Sequence, residues 1–155
     1  MSKLIVFTDG SCRSNGKRGA KAAYAACWPD HPDKDSAFLL EGQVQTNNRA
    51  EFMGVIHAFA IADTIDPSRT KTLSIYTDCM LLIRSLNEWL PGWKRRGWRK
   101  SDGQPVVNAD LLQRLDHCMS LRPCELHHVP AHTGKTDWQS VWNAKVDKMA
   151  TELTA

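Results

Sequence analysis

Four acidic residues far apart in the chain, Asp9, Glu51, Asp78 and Asp147, occupy positions from which they could meet. Asp9 closes the apolar run Leu4–Thr8, and Asp78 closes a second such run, Thr72–Thr77. Glu51 lies in the first turn of a helical stretch between them. Asp147 falls in a helical stretch near the C-terminus, on the same face as Asn143. Carboxylates packed together repel one another, and a divalent cation resolves the conflict. Mg2+ takes oxygen ligands and often bridges protein carboxylates to phosphate groups. Two such ions about 3.5–4 Å apart can clamp a phosphodiester, one activating water and the other steadying the leaving oxygen. Taken singly, each residue has a plainer reading: a turn at Asp9-Gly10, a cap at Asp78, a favourable helix dipole at Glu51, a solvated face at Asp147. The choice therefore depends on whether the fold gathers them.

A second chemical signal is a basic, aromatic segment. Lys94, Arg95, Arg96, Arg99 and Lys100 are interleaved with Trp93 and Trp98, and Trp89 lies just upstream. Cations alternating with large flat rings suit a nucleic-acid backbone, although such a run can also be a solvated face over core tryptophans. The formal net charge of +3 is too small to decide, so placement carries the argument.

The elements that must position these groups can be read from periodicity. Leu4–Thr8 reads as a buried strand, and Ala22–Trp28 and Ser36–Gln45 as two more. Thr46 to Glu51 opens a helix reaching about Ala62, with Phe52, Val55, Ile56 and Phe59 on its core face. Thr72–Thr77 reads as a strand and Cys79–Leu90 as helical. Asn108 is expected to cap a helix over Ala109–Cys118. Glu125–Val129 reads as a last strand, and a terminal helix is expected from Val141 to about Leu153. The order predicts an α/β fold: a partly parallel sheet flanked by helices, with ligands gathering beyond the carboxyl ends of its strands.

At 155 residues, with 42% hydrophobic and 24% charged residues, the chain reads as one domain with an ordinary core. The five scattered cysteines lack a CxxC pair, which argues against a disulfide framework or structural zinc and for buried thiols in a reducing cytosol. No apolar run is long enough for a membrane span, and the N-terminal run is too short for a signal peptide. A cytoplasmic, monomeric protein is expected.

Ordered words in the sequence resemble the type 1 ribonuclease H family. Thr8-Asp9-Gly10-Ser11-Cys12 looks like its first motif and Thr46-Asn47-Asn48-Arg49-Ala50-Glu51 like its second. Tyr76-Thr77-Asp78 matches the third, and Asn143-Ala144-Lys145-Val146-Asp147 with Met149-Ala150 the fourth. Trp93-Lys94-Arg95-Arg96-Gly97-Trp98 is similar to the basic protrusion of bacterial and many eukaryotic members. One word alone would be weak; five in order, spanning nearly the whole chain, are specific.

The resemblance implies a ribonuclease H-like fold, with a five-stranded mixed sheet flanked by helices. It implies an endonuclease that cuts the RNA strand of RNA–DNA hybrids with two Mg2+ ions, Mn2+ being possible, and leaves 5′-phosphate and 3′-hydroxyl ends. Asp9, Glu51, Asp78 and Asp147 are then the metal ligands. His132, in Val129-Pro130-Ala131-His132, matches a mobile histidine suited to proton handling near neutral pH. His127 and His128 read as structural or surface groups. Asn15, Thr46, Asn47 and Asn48 correspond to contacts with sugars and phosphates. Trp93, Lys94, Arg95, Arg96 and Trp98 would grip the hybrid, with Trp93 against the DNA strand.

The sequence departs from the family pattern in three places. Ser14 to Ala20 is more basic and less glycine-rich, Met80 stands where a glutamine is common, and the stretch from His132 to Asn143 is a few residues longer. An alternative is a catalytically quiet hybrid-binding module, which would not need the four carboxylates. An integrase- or transposase-like nucleotidyl-transfer domain fits the second motif and the protrusion less well.

Overall fold

Strand β1 (Lys3–Arg13) is the spine of the protein. Its first half pairs in parallel with β4 (Thr72–Thr77), from Lys3↔Thr72 to Phe7↔Tyr76. Its second half pairs antiparallel with β2 (Lys21–Cys27), from Phe7↔Cys27 to Arg13↔Lys21. Strand β3 (Ser36–Leu39) adds antiparallel to β2, and β5 (Cys124–His128) adds parallel to β4. The sheet order is β3-β2-β1-β4-β5 in a computed structural model that describes residues 2–155.

Alternation along the central strand explains the layers. Leu4 and Val6 point into the main core with Phe52, Val55 and Phe59 of α1 (Asn47–Ile65) and Leu111, Leu112 and Leu115 of α4 (Ala109–Leu121). Phe7 points the other way, toward Val129 and toward Val146 and Ala150 of α5 (Trp138–Thr154). Leu73 and Ile75 are fully buried, and such burial contributes about 1.5–3 kcal/mol per side chain. Between β4 and α4 runs a helical excursion: α2 (Met80–Arg84), a π turn over Ser85–Trp89, then α3 (Leu90–Arg95). Pro91 cannot donate to the carbonyl four residues back, and the coil widens just ahead of it.

The five-stranded mixed sheet with flanking helices agrees with expectation, but several boundaries do not. β1 runs on to Arg13, because pairing with β2 continues after pairing with β4 has stopped. Asp9-Gly10 is therefore inside a strand and not a turn. β3 ends at Leu39; the following turn, with Gly42 at φ +97°, is tied together by the Gln45 side chain, which bonds Ala22 N–H and the Leu40 and Gly42 carbonyls. Asn108 adopts φ +64° and its side chain caps nothing; its carbonyl accepts from Leu111 and Leu112 while its Oδ1 accepts from Arg49. The terminal helix begins at Trp138, capped by Asp137. All five cysteines are free, but only Cys27 is buried; the other four are half-buried. Among the described residues no helix is long and apolar enough to cross a membrane.

Candidate active site

The parallel register from Lys3↔Thr72 to Phe7↔Tyr76 sets Asp9 and Asp78 at equal height just past the end of the β1–β4 ladder. Helix α1 brings Glu51 to the same point. Thr46 caps that helix by accepting from Arg49 N–H at 3.2 Å, which fixes where its first turn starts. Close approach then depends on Gly10: a Cβ there would stand 2.6 Å from Glu51 N and 2.8 Å from the Ala50 carbonyl carbon. Gly10 N–H also donates to Glu51 Oε1 at 2.7 Å and to Asp9 Oδ1 at 3.0 Å. One oxygen from each of Asp9, Glu51 and Asp78 lies within 4.8 Å of the others. The cluster lies where open sheets of this kind place their ligands.

Asp9 and Glu51 are 3% and 5% exposed, an unusual place for carboxylates without a cationic partner. Burial raises the pKa of Asp9 far above the carboxylate range, and Glu51, Asp78 and Asp147 add to the effect. Glu51 is raised by burial and then by Asp78, against the opposing Gly10 N–H. Three oxygen donors in this state form a hard site that a divalent cation such as Mg2+ or Mn2+ would satisfy.

Asp147 on α5 is half-buried and close enough to bear on Asp9, but stands outside the three-carboxylate cluster. It faces a cavity of about 300 Å3 that His132 and Asn143 also line. His132 is exposed, with φ +53°. Asn143, whose motif was legible but whose job was not, is 3% exposed and donates from Nδ2 to Asp78 Oδ2 at 3.3 Å. Its spacing before Asp147 was the available signal, since both face the same side of the helix.

The other expected contacts form two groups. Asn15 Oδ1 accepts from Asn47 N–H at 3.1 Å, joining the β1–β2 turn to the N-terminus of α1, where Thr46 and the exposed Asn48 also lie. In the protrusion, Trp93 and Trp98 are half-buried against the main core, and Trp89 is the more exposed ring, 5.8 Å from Trp93. Lys94 pairs with Asp116 at 3.1 Å, and Arg96 bonds the Arg99 carbonyl, while Arg95 is exposed. Met80, two residues after Asp78, is exposed.

The RNase H family profile matches residues 1–154. The chain belongs to the ribonuclease H family. It is 36% identical over 135 residues to ribonuclease H of Cupriavidus pinatubonensis, covering 86% of each chain. To mouse ribonuclease H1 it is 36% identical over 150 residues, covering 96% of this chain and 49% of the mouse protein. The chain thus spans about half the length of the mammalian relatives it matches. A foamy viral protease-reverse transcriptase solved with an RNA/DNA hybrid superposes with a TM-score of 0.76 at 22% identity, over 97% of this chain and 20% of that one. At that identity the likeness speaks for the fold.

Proposed function

We propose that this chain is a single-domain, monomeric, cytoplasmic endonuclease that hydrolyses the RNA strand of RNA–DNA hybrids, leaving 5′-phosphate and 3′-hydroxyl ends. The observation that carries the proposal is the oxygen cluster of Asp9, Glu51 and Asp78, within 4.8 Å, in a chain of this family. Relatives named ribonuclease H and the hybrid held by the foamy viral neighbour support the substrate.

Asp9, Glu51, Asp78 and Asp147 would hold two Mg2+ or Mn2+ ions. Bound there, the ions supply an activated water and charge stabilisation for the leaving oxygen. The protein's own part is positional. Gly10 N–H fixes one oxygen of Glu51, and the Asn143 amide fixes one oxygen of Asp78, which leaves the remaining lone pairs aimed into the cluster. His132, across the cavity from Asp147, handles a proton at the attacking water or the departing oxygen. Asn15, Thr46, Asn47 and Asn48 meet the hybrid at the N-terminus of α1, where the helix dipole favours phosphate. A 2′-hydroxyl reached from there distinguishes RNA from DNA. Trp93, Lys94, Arg95, Arg96 and Trp98 grip the other strand's backbone.

The test is incubation with a labelled RNA–DNA hybrid beside double-stranded RNA and DNA, with Mg2+ and with EDTA. Scission of the RNA strand in the hybrid alone, abolished by EDTA and yielding 5′-phosphate ends, is expected. Tight binding of the hybrid without scission would replace the proposal with the quiet binding module.

A further inference from the structure

The stretch between β5 and α5 is tied to the helix by side-chain hydrogen bonds. Lys135 N–H donates to Thr133 Oγ1 at 3.1 Å, and Thr133 Oγ1 donates to Ser140 Oγ at 3.2 Å. Ser140 Oγ in turn donates to Asp137 Oδ1 at 2.9 Å, and Ser140 N–H donates to Asp137 Oδ2 at 3.2 Å. Each hydroxyl both accepts and donates, so the relay runs in one direction and ends on a carboxylate, the arrangement in which its bonds reinforce one another.

The relay is fixed at its far end. Trp138, the first residue of α5, meets Phe7 edge-on at 5.6 Å and Tyr76 at 5.3 Å, and those two rings stack at 4.9 Å. Phe7 and Tyr76 lie two residues before Asp9 and Asp78 on the same two chain segments and close the β1–β4 ladder. At its near end the relay starts one residue after His132, and Thr133, Ser140, His132 and Asp147 all line one cavity.

We infer that Thr133, Asp137 and Ser140 form a latch that holds the His132 loop against α5 and so sets where the imidazole stands relative to the carboxylates. Asp137 and Ser140 are thus positioning residues for hydrolysis, with Trp138 as their anchor. The inference rests on the proposed role of His132 in proton handling. It goes further by assigning control of that side chain to residues of the loop and of the first turn of α5.

Two readouts test it on the intact chain. Trypsin can cut after Lys135 only when the loop opens locally. Ser140→Ala and Asp137→Ala should nick at this bond about tenfold or more faster than the parent under native conditions, with other sites unaffected. Single-turnover cleavage at saturating hybrid should slow about fivefold or more with KM unchanged, and adding His132→Ala should slow it no further than His132→Ala alone. Ser140→Thr, which keeps the hydroxyl, should restore both readouts. A Lys135–Thr136 bond equally resistant in parent and variants refutes the latch, as does nicking without slower cleavage. A His132→Ala variant that cleaves at the parent rate instead refutes the reading of His132, whatever the proteolysis shows.

Discussion

Replacing Asp9 with asparagine should make the metal-free protein more stable and the metal-bound protein inactive. Two full charges at the outer separation of 4.8 Å repel by about 3.5 kcal/mol at an effective dielectric of about 20. The native state escapes part of this by keeping protons, which is why burial and then the neighbouring charges raise both Asp9 and Glu51. A carboxyl raised on folding binds more protons native than unfolded, so stability falls as pH climbs above the ordinary carboxylate range toward the raised value. The gain from Asp9→Asn is therefore largest in mildly alkaline EDTA, where we expect about 2 kcal/mol, or roughly 4–8 °C in Tm for a chain of this size. The amide oxygen still accepts from Gly10 N–H, so that hydrogen bond survives. Mg2+ at about ten times its Kd should add about 1.4 kcal/mol to the parent and far less to the variant. Thermal melts across pH 5–9, with EDTA and with Mg2+, read both effects. A variant that melts below the parent in alkaline EDTA would show that repulsion does not govern this cluster.

Four further outcomes are expected. Gly10→Ala drives a Cβ into the Glu51 and Ala50 backbone, and overpacking of this kind costs about 1–3 kcal/mol; urea melts should show it, with cleavage falling through displaced Glu51. Asn143→Ala frees Asp78 from its amide donor and should weaken Mg2+ binding about 10–100-fold by calorimetry, with the fold intact by circular dichroism. Arg122→Met removes the guanidinium that, by hydrogen bonding, pushes Asp66 down to about 2. Such a lowered carboxyl contributes stability above its unfolded value, lost as pH falls from about 4 to 2; the variant should be less stable at pH 7 and show a flatter acid limb. Arg95→Ala with Arg96→Ala should make the salt dependence of hybrid affinity shallower by about one to two counterions, measured by anisotropy, with little change in saturated rate.

The partly parallel sheet and the chain order of its elements were legible because the strands are short apolar runs closed by polar residues, and the helices keep their period. Asp9 and Asp78 could be placed by those runs alone. Glu51 and Asp147 could not, since a carboxylate in a helix is ordinarily solvated; the motif words singled them out, and long-range packing put Glu51 with the other two. What sequence could not show were interactions decided by tertiary contact. Gly10 looked like a turn residue, yet its missing side chain lets β1 touch α1. Asn108 looked like a helix cap, yet Arg49 takes its side chain while the backbone turns left-handed. The start of α5 was missed by three residues because Trp138 is drawn in by Phe7 and Tyr76, which no local period announces.

Anomalous scattering from crystals grown with Mn2+ would locate the cation directly. A peak at bonding distance from carboxylate oxygens of Asp9, Glu51 and Asp78 is the expected result. Mn2+ bound elsewhere at saturation, with these three side chains turned apart and empty between them, would contradict the proposed chemistry at its root.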